Sequence, residues 1–501
     1  MPLPPLIEII PLTSPVRAEI TVPGSKSITN RALILAALAD GRTTLRGALW
    51  SEDTQVMTDC LRALGFTVDV QPDPSESCNR SITVDGLSGR LPRAGTAEQP
   101  LELFVGNAGT AARFLAAMVC LGDGVYRLSG VPRMHERPQA ALFAALRELG
   151  YRVDSPNDKL PATIFGSRRG QEADATEAER FRLLTSAATT KHCSVSVTES
   201  SQFASALLLA GGVGGWQVEI TGANEDELPY VDMTRELVKV FPAKGGEFQI
   251  EPDASSGSYF WAAGRTDVQD LKWTGSLSDW TAPWVKFESK WTVKVAAWPN
   301  SGWQVDAKFP ALWKPIAECS FKCGTPEHEM FAKTFDKHLR LMNKLLPEGR
   351  DGLELPSLSR EKDLGDSIMT AITLGPLAAW PLCFEHLARL RVQECERVEA
   401  LKTELERCGG EVDELGQTLK TYPSALHGAE IETYDDHRMA MCFAVLGLKV
   451  PGIKIKNPTC VKKTFPNFFQ KLAAPPPHGL GAEIRDAATG RTLAVEELFA
   501  D

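Results

Sequence analysis

Along the chain, short stretches that alternate apolar and polar residues lead into runs where apolar residues recur every three or four positions. The arrangement then repeats. From Thr43 to Val70 (TTLRGALWSEDTQVMTDCLRALGFTVDV) the pattern is a strand of the form T-x-L-x-G, an acidic turn, a helix ending at Leu-Gly and a second strand. Another copy runs from Val125 to Asp154, and looser copies begin at Trp216, through VDMTRELVKVF, and at Leu390, through ERVEALKTELERCGGEV. Period-2 segments feeding period-3.6 segments predict α/β modules whose helices are buried only against neighbouring copies. Ordinary alternation in an α/β enzyme would give a similar pattern, so the class is read more firmly than the number of copies.

Several apolar helices open from loops of one chemical kind. PGSKSITNRAL, from Pro23 to Leu33, gathers Gly24, Lys26, Ser27 and Arg31 at a helix start. Backbone amides, hydroxyls and cations meet there the positive end of the helix dipole, which favours an anion. The spacing is not GxxxxGK[ST], so this is no nucleotide P-loop. GNAGTAARFLAAM places Asn107, Gly109 and Thr110 before an apolar run, RMHERP supplies Arg133 and Arg137, and ESSQFASALLLAG offers Ser200, Ser201 and Gln202. Each loop alone reads equally as a helix cap or a solvated turn. No single bland reading covers all of them.

Composition narrows the class of ligand. At 501 residues the chain exceeds one ordinary core, so two domains are expected. A net charge of -10 and a pI near 5.5 disfavour a broad nucleic-acid surface, so the basic motifs point to a small anionic substrate. No apolar run is long enough to span a bilayer and the start, MPLPPLIEIIPLTSP, has no basic n-region; no membrane partner and a cytoplasmic location are expected. The 11 dispersed cysteines read as reduced core thiols, and Cys319, Cys323 and His328 lack a fourth ligand for zinc, so no metal is expected.

Two regions break the pattern. Seven of the 11 tryptophans fall between Trp273 and Trp313, and the stretch from about 265 to 360 reads as an insertion whose aromatic residues pack rather than bind. Inside it KFESKWTVKVAAW reads as a half-buried strand and MFAKTFDKHLRLMNKLL, from Met330, as an amphipathic helix. AAPPPHGLG, from Ala473, reads as a linker, with 475–501 a tail outside the fold.

The C-terminal half adds carboxylates to the cations. Glu394 and Arg397 share a helix face at i and i+3, TYDDHRMAMCFAVLGL sets Asp436, His437 and Arg438 before a buried helix, and Lys463 lies in CVKKTFPNFF. Taken jointly, PGSKSITNRAL, GNAGTAAR, RMHERP, SSQF, LPYVDMT, DASSGSYF, GDSIMTA, DDHRMAMCF and KTFP resemble, in order, the 5-enolpyruvylshikimate-3-phosphate synthase family of enolpyruvyl transferases. The resemblance covers most of the chain outside the middle segment and the tail.

That resemblance implies a two-domain inside-out α/β barrel of six βαβαββ-type repeats, with residues 1–24 plus 254–474 forming one domain and 25–253 the other. It implies transfer of the enolpyruvyl group of phosphoenolpyruvate to the 5-hydroxyl of shikimate 3-phosphate, with no metal or organic cofactor, in a monomer that glyphosate would inhibit. By motif, Lys26, Ser27 and Arg31 would contact shikimate 3-phosphate, with Lys26 also reaching phosphoenolpyruvate. Ser200, Ser201, Gln202 and Tyr230 would hold the shikimate moiety. Asn107, Gly109, Arg137, Gln202, Arg397, Arg438 and Lys463 would bind phosphoenolpyruvate. Asp366 would take the 5-hydroxyl proton and Glu394 would protonate the methylene carbon. Gln393 stands where many members carry a Lys on the shikimate side, and Glu227 where a phosphate-binding Ser often sits. The sister transferase acting on UDP-N-acetylglucosamine fits less well, because its opening motif and reactive loop Cys are missing here. A non-catalytic phosphometabolite-binding homologue is the other alternative.

Overall fold

The computed structural model describes residues 3–166, 191–222, 227–264, 292–318, 357–378 and 380–500. The chain divides into two compact units: Pro23–Asp253 with Asn300–Gln304, and Met1–Val22 with Ala254–Pro299 and Val305–Asp501.

In the first of these, two sheets share one plan. Gly246–Gln249 lies parallel to Asp40–Leu49, which pairs antiparallel with Asn79–Leu87 and through it with Val68–Pro72. Leu101–Phe104, Val125–Ser129, Ala162–Phe165 and Arg152–Asp154 repeat that order, and Lys191–Ser196 lies parallel to Trp216–Thr221. The copies read from Thr43 and Val125 therefore correspond to real strand–helix–strand units. Three helices, Lys26–Leu38, Gly109–Met118 and Ser201–Gly214, are buried nearly all round and pack on one another. Small residues such as Ala36, Ala112 and Ala204 let them approach closely, while Ile28, Leu115 and Leu207 fill the space between.

The second unit uses the same plan. Glu430–Ile431, Ile453–Lys456, Leu6–Ile9 and Ile484–Asp486 form one sheet, and Ser357–Ser359, Leu382–Glu385, Thr418–Tyr422 and Glu411–Leu415 another. Ala254–Ala263, Ile368–Leu374 and His437–Gly447 are its buried helices. Cys60, Cys120 and Cys442 are buried thiols, and burial pushes Cys60 and Cys442 up to about 12.

Two expectations are corrected. Part of the tryptophan-rich stretch belongs to the fold: Thr292–Val295 pairs parallel with Arg17–Ile20, and Phe309–Glu318 buries Phe309 and Trp313. Trp298 donates its indole N–H to the Ala307 carbonyl at 2.9 Å and lies against Gly257, where a Cβ would stand 2.4 Å from its ring. This strand lies within KFESKWTVKVAAW, which reads as a half-buried strand, and its alternation turns Val293 and Val295 inward. The helix read from Met330 and the cysteine cluster at Cys319 lie outside the described residues.

The tail is likewise part of the fold. Ile484–Asp486 covers the edge of Leu6–Ile9, Glu19 donates its N–H to Pro477, and Leu480, Leu493 and Leu498 are buried. An open strand edge and apolar side chains this close in space pair whatever the composition of the intervening linker.

Candidate active site

In the unit Pro23–Asp253, the loop before Lys26–Leu38 is pinned by backbone contacts. Gly24 donates its N–H to Asn79 Oδ1 at 2.8 Å and Ser25 to the Glu251 carbonyl at 2.8 Å. A Cβ on Gly24 would stand 2.0 Å from the Gly47 carbonyl oxygen, so no larger residue fits. Lys26 Nζ lies 3.3 Å from Asp53, which is 6% exposed in the first turn of Glu52–Ala63. Nothing in the sequence singles out Asp53, since an acid in a first helical turn is commonplace.

One turn beyond Lys26, Arg31 is buried. Its Nε donates to Thr234 Oγ1 at 2.7 Å, Nη1 to the Ser27 carbonyl at 2.9 Å, and Nη2 to Ser205 Oγ at 3.0 Å and the Tyr230 carbonyl at 3.4 Å. Burial pulls its pKa down to about 10, against the opposing pull of Tyr230 and Glu227. Arg31 thereby ties three of the predicted site residues, Ser27, Tyr230 and itself, into one network.

Arg113 does the same for the other loops. Its Nη1 donates to the Gly109 carbonyl at 3.1 Å and to Gln202 Oε1 at 3.1 Å, and its Nη2 to the Pro138 carbonyl at 2.9 Å. The GNAG loop, the turn containing Arg137 and the start of Ser201–Gly214 are thus joined through one buried guanidinium. Its signal was present in the sequence as an arginine inside the apolar run GTAARFLAAM, where a charge needs partners. Arg137 Nη1 donates to the Asn107 carbonyl at 3.3 Å, whereas Arg133 is an exposed partner of Glu136. None of the three buried helices has an acid in its own first turn; the start of Ser201–Gly214 is met instead by Glu227, whose carboxylate accepts the Ser201 N–H.

A methyl group on Gly109 would lie 2.6 Å from both Arg113 Nη1 and Arg137 Nη2. These are the ends of flexible side chains, so Gly109→Ala displaces guanidinium groups rather than backbone. The expected result is a folded protein whose affinity for a small anion such as inorganic phosphate falls about 10- to 100-fold, the worth of one or two charge-assisted hydrogen bonds. Phosphate titration by calorimetry, with melting curves alongside, checks it.

In the unit Val305–Asp501, four cations converge on two carboxylates. Asp366 lies 2.9 Å from Arg360 Nη2, 3.3 Å from Arg438 Nη2 and 3.8 Å from Arg397 Nη1. Burial alone would raise its pKa; Arg438, Arg360 and Arg397 outweigh burial and hold it well below the carboxylate range. Glu394 lies 2.9 Å from Arg397 Nη2 and 3.1 Å from Lys463 Nζ. Arg397 is 1% exposed and pairs also with Asp436, its Nε at 2.7 Å from Oδ2, and with the Gln393 side-chain oxygen. Gln393 therefore serves as an acceptor for Arg397. Asp436 Oδ1 also accepts the Arg438 N–H at 2.8 Å as the cap of His437–Gly447.

Two members of this cluster were not foreseen. Arg360 sits at the end of the stretch read as an insertion, and Asp306 lies within it. Asp306 Oδ1 accepts the Ser367 N–H at 2.7 Å and Oδ2 accepts the Ser255 hydroxyl at 2.9 Å, which fixes the turn carrying Asp366. Burial, then the neighbouring charge of Asp366, pushes Asp306 up to about 6. A carboxyl with a raised folded pKa contributes stability that is full below its unfolded value, near 4, and is lost as pH rises through about 6. In Asp306→Asn that loss between pH 4 and 6 flattens, as urea midpoints across the range would show.

The fold is shared with enolpyruvyl transferases. The structure aligns with EPSP synthase from Acinetobacter baumannii at a TM-score of 0.64 and 18% identity, over 96% of this chain and 99% of that one. It also aligns with the enolpyruvyl transferase NikO from Streptomyces tendae at 0.55 and 15%, over 99% and 100%. The model of the family EPSP synthase (3-phosphoshikimate 1-carboxyvinyltransferase) matches residues 11–275 and 360–472. Curated proteins named 3-phosphoshikimate 1-carboxyvinyltransferase are 34% identical over 488 residues in Trichormus variabilis (93% of this chain, 98% of that one) and 35% over 497 in Rhizobium leguminosarum (93% and 96%). The chain belongs to the EPSP synthase family.

Proposed function

We infer that the chain carries out the reaction of its family, transferring the enolpyruvyl group of phosphoenolpyruvate to the 5-hydroxyl of shikimate 3-phosphate with release of phosphate. The observation that supports this best is Asp366, an ionised carboxylate surrounded by Arg360, Arg397 and Arg438, with Glu394 held nearby by Arg397 and Lys463. Such a cluster provides a proton acceptor, a second carboxyl group as proton donor, and cations for a phosphate and a carboxylate.

On this reading Asp366 accepts the 5-hydroxyl proton and Glu394 delivers a proton to the methylene carbon. Arg397, Arg438 and Lys463, with Lys26, Asn107, Gly109, Arg137 and Gln202, bind phosphoenolpyruvate. Ser27, Arg31, Ser200, Ser201, Tyr230 and Gln393 serve the shikimate side. An incoming phosphate draws guanidinium groups away from Asp366 and so returns part of its basicity. Each unit is proposed to contain three βαβαββ repeats in an inside-out arrangement, the enzyme acting as a cytoplasmic monomer. Among the described residues no helix is long and apolar enough to cross a membrane.

The test is phosphate release from shikimate 3-phosphate and phosphoenolpyruvate by the purified full chain, with UDP-N-acetylglucosamine as a second acceptor. Release with the first acceptor and not the second is expected. Folded protein that releases no phosphate with shikimate 3-phosphate overturns the reading.

A further inference from the structure

Glu227 carries a negative charge to the start of another helix. It is 3% exposed, and its carboxylate accepts the Ser201 N–H at 2.5 Å. Ser201 opens the buried helix Ser201–Gly214, which has no acid in its own first turn and whose cap, Ser200, accepts the Gln202 N–H through its hydroxyl. Glu227 also occupies the cap position of Leu228–Val240, where an acid normally bonds to its own helix; its side chain makes no such bond and reaches instead to a residue 26 positions earlier. Arg31 lies within electrostatic reach of it.

A backbone amide at a helix start, two buried hydroxyls and a guanidinium within reach make a seat for an anion. This chain fills that seat with its own carboxylate. We propose that Glu227 is an internal anion that competes with the phosphate of the incoming substrate for the start of Ser201–Gly214, and so weakens and tunes binding of shikimate 3-phosphate. The proposal rests on the assignment of Ser200 and Ser201 to the shikimate side. Two anions cannot share one helix start without repulsion, so substrate binding requires the carboxylate to leave Ser201.

The test compares the full-length wild-type enzyme with Glu227→Ser and Glu227→Gln. Gln keeps the shape and an oxygen for the Ser201 N–H while removing the charge; Ser removes both. In each variant the KM for shikimate 3-phosphate is expected to fall by about tenfold or more, as removal of a like-charge contact predicts, with the KM for phosphoenolpyruvate little changed. Inorganic phosphate is expected to raise the melting temperature of Glu227→Ser more than that of wild type, because the vacated seat binds it. If folded Glu227→Gln shows an unchanged or higher KM for shikimate 3-phosphate, Glu227 is a structural partner of Ser201 and the proposal is overturned. Ser200→Ala separates the two assignments. A raised KM for shikimate 3-phosphate in Ser200→Ala keeps the shikimate side where it is assigned, and the Glu227 variants then judge the competition alone. An unmoved KM in Ser200→Ala removes that assignment, and the proposal with it.

Discussion

Asp366→Asn is expected to lower kcat by about 10²- to 10⁴-fold, the range that loss of a positioned general base usually brings. The KM for phosphoenolpyruvate should be unchanged or lower, since Arg360, Arg397 and Arg438 lose a competing anion while Asn keeps the shape of the side chain. Three guanidinium groups hold the Asp366 pKa well below the usual range, so this group stays ionised throughout the workable pH range. Any acid limb in the wild-type pH–rate profile then belongs to another group. On the proposed reading, a base so stabilised is weak in the resting protein and acts through its position and through release of its cations toward substrate. Unchanged turnover in Asp366→Asn would remove it from the mechanism.

Arg397→Met should produce the largest loss of stability. The side chain is 1% exposed and faces Asp436, Glu394 and Asp366, so its removal leaves buried carboxylates without their shared cation. Breaking a buried pair from one side costs about 3–5 kcal/mol, and the desolvated partner accounts for most of it. Urea unfolding should show the midpoint moving down with little change in slope. In the double variant Arg397→Met with Asp436→Asn, less than the sum of the two single losses is expected, because the second change removes the stranded charge. An additive result would show that Asp436 draws little from Arg397 despite the 2.7 Å contact.

How much of this was legible depended on how far apart the interacting residues are. Lys26, Asn107, Gly109 and Ser200 stand out as candidates in the sequence because each lies in a contiguous loop where small residues, hydroxyls or cations precede an apolar run. Arg360 and Asp306 are not singled out in this way: Arg360, only six residues before Asp366, lies at the end of the stretch that reads as an insertion, and Asp306 is 61 residues from its partner Ser367. Asp306 was further hidden by the tryptophan-rich composition around it. The tail was misread for a related reason: a Pro-rich linker speaks for local flexibility, while Leu480, Ile484 and Leu498 find their partners on elements far away in sequence.

The α/β modules, the family and the anion-seeking loops are legible in the amino-acid order alone, since periodicity, glycine spacing and the chemistry of a helix start are properties of adjacent residues. Which cation neutralises which carboxylate, and that Arg31 and Arg113 bind loops together from inside, follows from the folded arrangement. It alone placed the Glu227 carboxylate on the Ser201 amide. Charge interactions inside a protein depend on a few ångströms of separation and on burial, and both are set by contacts between residues tens to hundreds of positions apart.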